Sequence, residues 1–197
     1  KIFNSEKDKG IVIVPTELIP DNGKKLSAII IELARLNKLD NSFINWFKES
    51  NYFCDSLVDR IVPGRLPQKD QAAAQEKLNY QDDLMIMAEP YRLWAIESDK
   101  DKVKEPLSFQ QADAGVIIAP DIAKFRELPF RLLHGPPPLS CGLAFLAGFP
   151  TVKSAMEHKS MSSYIAHLMQ KEIAPAIISE NLTEKDAQDF SRKVLDR

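Results

Sequence analysis

The sequence predicts an α/β arrangement that gives way to α: the closing part of a parallel sheet, then a mainly helical segment. Three observations carry this. GIVIVPTELI, residues 10–19, opens with a short β-branched apolar run ending at Pro15, the composition of a strand buried on both faces. Two helical patterns and a second apolar run follow, the order of a parallel α/β unit. From Pro120 onward apolar residues recur at helical spacing. The expected division is 1–64 for the sheet's closing part, 65–120 for connecting strands and a loop, and 121–197 for the helical part.

In order along the chain, Asp21-Asn22-Gly23 is a turn signal, and Leu26, Ile29, Ile30, Leu33 and Leu36 then form an inward apolar stripe. Asn41 or Ser42 caps a second helix that turns Phe43, Ile44 and Phe47 inward, and YFCDSLVDRIV (52–62) returns as one strand. The polar, alanine-rich stretch 65–82 reads as a helix or connection without chemistry. DLMIMAE (83–89), RLWAIE (92–97) and GVIIAP (115–120) read as three more strands.

Ile122, Phe125, Leu128, Leu132 and Leu133 have helical spacing, with Arg126, Glu127 and Arg131 on the other face. Pro129 interrupts this pattern at a cost of roughly 3 kcal/mol, and the run Pro136-Pro137-Pro138 is expected to exclude helix. Met156 to Ile173 reads as one long helix. Thr183 with Asp186 forms a capping box that opens a last helix through Phe190 and Leu195.

Composition limits the function classes. The chain has 197 residues, with 26 Lys plus Arg against 28 Asp plus Glu, so no basic field exists to gather nucleic acid or an anionic membrane. Cys54 and Cys141 are the two cysteines, each in an apolar run; they read as buried, reduced thiols of a cytoplasmic protein. No apolar run approaches the ~20 residues of a membrane span, and KIFNSEKDKG lacks the core of a signal peptide. No GxGxxG phosphate loop occurs among the 7 glycines. The sequon at Asn181 is read as chance.

Of the three histidines, His158 and His167 read as solvated surface, and none has metal-site spacing, so no metal is expected. His134 ends an apolar helix beside Gly135 and a proline turn, where a side chain can be aimed into a cleft. The plainer alternative is a bond to the helix's last carbonyls. Asp59 and Arg60 follow apolar residues near a strand end, where they line a crevice at the sheet's carboxyl edge or form a structural ion pair. Trp46 and Trp94 read as core or interface anchors.

Four blocks, PTELIPDNG at 15–23, FCDSLVDRIVPG at 53–64, AEPYRLWAIE at 88–97 and LLHGPPPLSCGLAFLAGFPTV at 132–152, resemble the long-chain polyol dehydrogenase family that includes mannitol dehydrogenase. Within it they look most like the members that reduce keto sugar acids. The resemblance implies a Rossmann-like sheet followed by a helical substrate domain of the mannitol dehydrogenase C-terminal type. It implies NAD, bound mainly by a part outside this chain, and a small sugar-acid substrate, with an uncharged polyol such as mannitol as the alternative.

On this comparison the chain is an interior piece, and Glu17 and Asn22 fall on the cofactor side. Asp59, Arg60 and Arg131 fall on the substrate side, with Arg92 a further candidate partner for a carboxylate. In the family, the helix corresponding to 129–137 carries a lysine base, an asparagine and a histidine. Those slots here hold Pro129, His134 and Pro137. Only His134 keeps a group able to act on a proton, so the resemblance implies an impaired enzyme or a non-catalytic helical interaction domain.

Overall fold

A computed structural model describes residues 2–5 and 9–196; Lys1, residues 6–8 of KIFNSEKDKG and Arg197 of the closing VLDR lie outside the described residues. The chain divides into two compact units, 1–120 and 121–197. The first runs α1 (Ile2–Ser5), β1 (Val12–Ile13), α2 (Asn22–Leu36), α3 (Asn41–Ser50), β2 (Tyr52–Phe53), β3 (Ser56–Asp59) and β4 (Gly64–Arg65). It continues with α4 (Gln68–Leu78), β5 (Ile86–Met87), β6 (Leu93–Glu97), α5 (Asp101–Lys104), a 3-10 turn at Ser108–Gln111 and β7 (Val116–Ala119). β1 and β2 pair in parallel, Val12 opposite Tyr52 and Ile13 opposite Phe53. β3, β6 and β7 form a mixed sheet in which β3 runs antiparallel to β6 and β6 parallel to β7. Cys54, Ile96 and Val103 centre the core here, with Val12, Val14, Trp94, Val116 and Ile118 packed on them.

The expected strand over 52–62 is two strands, because the chain leaves one sheet for the other at Cys54-Asp55. This crossing is tied by backbone and side chain together. Cys54 N–H donates to Ile13 O at 3.0 Å, and Glu97 N–H to Asp55 O at 2.8 Å, so the two residues join β1 to β6. Asn22, buried at the start of α2, donates from Nδ2 to Ser56 O at 2.9 Å and accepts from Ser56 N–H at 2.9 Å. Gly23 is required beside it: a Cβ there would sit 2.6 Å from the Cys54 carbonyl.

Asp55 is buried and accepts from Lys24 N–H at 3.1 Å, with the Lys24 ammonium 2.8 Å away. A carboxylate at orphan first-turn N–H groups is favoured by hydrogen bonding and the helix dipole. The anticipated inward stripe of α2 differs in part. Ala34 is buried and Leu26 and Ile30 half-buried, but Ile29, Leu33 and Leu36 are exposed, because the face carrying Gly23 and Ala34 is the one that packs.

The second unit is helical: α6 (Ala123–Leu132), α7 (Pro136–Leu146), α8 (Val152–Glu157), α9 (Lys159–His167), a π turn at Leu168–Ile173, α10 (Ala174–Ala176) and α11 (Glu184–Leu195). Leu128, Leu132, Ala174, Leu182 and Ala187 form one buried cluster; Ala155, Met161, Ile165 and Met169 form another. The triple proline does not exclude helix, contrary to the sequence reading. Pro136, Pro137 and Pro138 are the first three residues of α7, where backbone N–H groups have no intrahelical acceptor to lose. α6 continues through Pro129, and its end closes on the Pro129 carbonyl, which accepts from Leu133 and His134 at 2.9 Å each.

The long helix expected over 156–173 is broken at His158, which ends α8 and precedes α9. Beyond α9 the backbone shifts to the π pattern, with Ala174 N–H bonding Met169 O. In that pattern the Gln170 carbonyl points to Pro175, which has no N–H. Gln188 on α11 supplies the missing donor, Nε2 to Gln170 O at 2.9 Å. The Thr183–Asp186 capping box is present as the sequence predicts, Asp186 N–H donating to the Thr183 hydroxyl at 3.2 Å.

Two outcomes follow from these bonds. Gln188→Leu keeps the side chain's bulk but strands the Gln170 carbonyl, so unfolding in urea will show a loss of about 1–3 kcal/mol; a loss below about 0.5 kcal/mol would mean the carbonyl finds another donor. For Asp55, burial works to raise the pKa, but hydrogen bonds from the Lys24 ammonium and from the Lys24 and Gly23 backbone outweigh it and hold the carboxyl below its usual range. Lys24 is raised, chiefly by its hydrogen bond to Asp55. Asp55 therefore stabilises the fold fully above its unfolded pKa of about 3.9, and that contribution is lost as pH falls through the lower folded value. The contribution of Lys24 is full below about 10.4 and is lost as pH rises through its raised folded value. Asp55→Asn will cost about 1–3 kcal/mol at pH 7, and the gap to the parent will narrow below about pH 4; a gap constant from pH 7 to pH 3 would exclude this role.

Candidate functional site

In open α/β sheets ligands collect beyond the carboxyl ends of parallel strands. At that end of β1 lies the loop 14–21, exposed from Thr16 to Asp21, with Glu17 and Leu18 turned to solvent. The Glu17 carbonyl accepts from Asn22 Nδ2 at 2.9 Å and from Ile19 N–H at 2.8 Å. Asn22, expected on the cofactor side, stands at the end of this loop. Its amide is fully engaged inside the protein, donating to Pro15, Glu17 and Ser56 carbonyls and accepting from Gly23 and Ser56 N–H. A side chain committed in this way has nothing left to offer a cofactor directly.

Asp59 and Arg60 lie at the other end of β3. Asp59 pairs in register with Leu93 of β6. Arg60 spans from β3 to the segment before β6, with Nε and Nη2 both on Glu89 O at 2.9 and 2.8 Å. Arg92 is held by Asp113, Nε lying 3.0 and 2.7 Å from the two carboxylate oxygens, and Asp113 also accepts from Gly115 N–H at 2.8 Å. Asp113 is lowered, first by the Arg92 hydrogen bond, then by Gly115, with Arg60 adding a further favourable charge. Arg60, Arg92 and Asp113 thus gather at one edge. Asn22 and Glu17 do not join them: Ser56, which Asn22 grips, stands four residues before Arg60, about 13 Å along an extended chain at ~3.3 Å per residue.

In the helical unit, α6 and α7 meet at a tight corner. Gly135 allows it, since a Cβ there would come 2.2 Å from the Arg131 carbonyl. His134 is exposed at this corner, and Pro129 is buried within α6. Arg131 is exposed, pairs with Glu127 at 3.2 Å and lies over the Phe130 ring at 5.2 Å. The corner therefore places His134 and Arg131 near one another in sequence and both toward solvent. Pro137, second residue of α7, offers neither a side-chain donor nor an N–H.

Cys141 corrects the sequence reading. It is exposed on α7 with Sγ 3.6 Å from Pro138 O, because Pro136 and Ser140 occupy the buried side of that helix. Cys54 is buried, and burial pushes its thiol pKa up, which marks it as inert packing. His158 and His167 are exposed, as expected, the former 5.0 Å from the Phe149 ring. Trp46 and Trp94 are half-buried, each with an unpartnered Nε1.

A cavity of about 680 Å³ is lined by Gly10, Ile11, Glu49, Tyr52, Lys102 and Leu107. These residues lie toward the amino ends of β1 and β2, the wrong end for a ligand of a parallel sheet. Among the described residues no group of three or more His, Cys, Asp and Glu is arranged to hold a metal, and no helix is long and apolar enough to cross a membrane. Sequence reasoning missed the Asp55–Lys24 latch and the Asp113 partner of Arg92. Asp55 had a visible signal, an acid in an apolar strand run; Asp113, in a polar loop, had none.

Comparison with known proteins places these features. Residues 1–108 match the family model described as the mannitol dehydrogenase Rossmann domain. Among curated relatives, the altronate oxidoreductase of Phocaeicola vulgatus is 38% identical over 197 residues, all of this chain and 40% of that protein. The chain thus spans about two fifths of the length of the curated relatives it matches. The fold is shared with a substrate-free D-sorbitol dehydrogenase (TM-score 0.71, 18% identity, 93% of this chain and 36% of that one). It is shared too with Pseudomonas fluorescens mannitol 2-dehydrogenase in a ternary complex with NAD and D-mannitol (TM-score 0.59, 21% identity, 94% and 36%). With that Rossmann-domain model matching residues 1–108, more than half of its length, the chain belongs to the mannitol dehydrogenase family.

Proposed function

We propose that this chain is part of an NAD-dependent oxidoreductase that interconverts tagaturonate and altronate. The observation that carries the reading is the 38% identity to altronate oxidoreductases across all 197 residues. When bound, NAD supplies the hydride acceptor or donor. The residues present suit one part of that cofactor only. The clasped loop at the carboxyl end of β1 offers Glu17 and an apolar tip at Leu18 and Ile19, while the 7 glycines include no phosphate loop.

The substrate's carboxylate needs a cation, and existing partners rank the candidates. Arg92 already holds a carboxylate through two contacts and is the poorest choice. Arg131 is held by an exposed pair one helical turn away, an interaction of about 0.3–0.5 kcal/mol that a substrate carboxylate displaces cheaply. Arg60 grips a neutral carbonyl, which also leaves its charge uncompensated at that contact. In this reading Arg60 is the first unit's candidate cation for the acid, with Asp59 beside it in the chain to accept from a substrate hydroxyl, and Arg131 is the second unit's candidate. His134 is the remaining group of the family cluster that can polarise the reacting oxygen or move its proton.

With proline in the base slot at 129 and in the polarising histidine's slot at 137, proton transfer lacks its usual partner, and turnover is set low. The same observation favours a second reading, a helical interaction module of this family without chemistry. One variant separates the two: Pro129→Lys, His134→Asn and Pro137→His combined in the full-length protein, followed by NADH oxidation with tagaturonate, fructuronate and mannitol. The enzyme reading expects a gain of at least about 10²-fold with tagaturonate over the parent protein. No gain on any substrate supports the interaction module, and a gain on mannitol alone moves the substrate to an uncharged polyol.

A further inference from the structure

We propose that Asn22 is a positioning residue for the cofactor, acting through the loop 15–21; this rests on the dinucleotide reading above and replaces direct contact by Asn22. At its first residue the loop is also held by Ser56 Oγ, which donates to Pro15 O. From Thr16 to Asp21 every side chain is exposed, Leu18 at 78%, so packing does not fix its course. Its internal backbone bond is the tight one from Ile19 N–H to Glu17 O at 2.8 Å. What ties it beyond Pro15 is the Asn22 amide, reaching back to Pro15 O at 3.0 Å and Glu17 O at 2.9 Å while gripping both backbone groups of Ser56.

The geometry requires asparagine. Bound to Ser56 through one donor and one acceptor, the amide takes the place of a neighbouring strand's peptide unit beside β3. Its two N–H groups serve three carbonyls, so one bond is shared. Aspartate in the same place would set a carboxylate oxygen against those carbonyls, and an apolar isostere would strand the Ser56 backbone, which is buried. Ser56 Oγ also holds Pro15 O, but of the two side chains only Asn22 reaches Glu17. The clasp thus converts an exposed loop into a pre-set one at the carboxyl end of β1, where a ring and its ribose would meet it. A loop that samples other courses binds with an affinity reduced by the fraction of time it holds the competent one.

The test compares Asn22→Ala with Ser56→Ala in the full-length protein, by amide hydrogen exchange over residues 16–19 and by NADH affinity from fluorescence titration, so that turnover is not the readout. Asn22→Ala is expected to speed exchange in the loop and weaken NADH at least about tenfold, whereas Ser56→Ala, which leaves Glu17 held, changes NADH affinity less than about threefold. If Asn22→Ala does not fold by circular dichroism, the double variant Thr16→Gly/Pro20→Gly loosens the loop with the clasp intact, and it too must weaken NADH at least about threefold. Loop exchange as slow as in the parent, or faster exchange with unchanged NADH affinity, overturns the proposal while leaving the oxidoreductase reading standing. Failure of the parent protein to bind NADH overturns both.

Discussion

Everything in the first unit hangs on one crossing, where Cys54 and Asp55 carry the chain from the parallel pair β1–β2 to the mixed sheet β3–β6–β7. The strands themselves are short, two residues each in β1 and β2, and so few ladder bonds cannot hold a sheet alone. The start of α2 supplies the rest. Gly23 lets the helix approach the Cys54 carbonyl, Lys24 brings a backbone donor and an ammonium to Asp55, and Asn22 bonds Ser56 as a strand would. A buried carboxylate is costly unless paired and hydrogen-bonded, and here both conditions are met. The same three residues therefore decide helix start, sheet junction and the course of the loop beyond β1.

The second unit is organised around the places where proline removes a donor. Three consecutive prolines at the start of α7 cost nothing in hydrogen bonds, because first-turn donors are orphans in any helix. Pro175 is different, since it lies past the middle of a continuous helical run. The backbone answers with a π turn, and a side chain from α11 meets the carbonyl left over. One residue type is thus harmless, disruptive or repaired according to its position relative to a helix end.

The same contrast explains what can be read from the sequence. RLWAIE and GVIIAP are found as β6 and β7 because each is a short apolar run whose composition marks a strand whatever its partner, and the Thr183–Asp186 box caps α11 because its two residues are three apart. The break within 52–62 is not legible there: it rests on bonds from Asp55 to Lys24 and Glu97, 31 and 42 positions away in sequence. Cys141 reads as buried because CGLAFLAGF is apolar throughout, and composition alone does not say which side of such a helix faces the core. Asn22 is visible as a turn residue, but its partner Ser56, 34 positions away, is not, so sequence alone does not show that its amide is engaged within the protein.

The corner between α6 and α7 shows how far altered residues reach beyond their own side chains. An ordinary helix start presents several free N–H groups, and with the dipole behind them they form a ready site for developing negative charge. In α7 the first three positions have no N–H, so the helix end keeps its dipole but loses its donors there. A backbone substitute for the absent polarising side chain is thereby removed as well. Pro129, buried in α6, has no proton to give or take. In the proposed reading His134 is the corner's remaining proton-bearing group and Arg131 its cation; both are exposed there. On that reading chemistry at this corner needs a base, and the slot that the resemblance assigns to it on α6 holds Pro129.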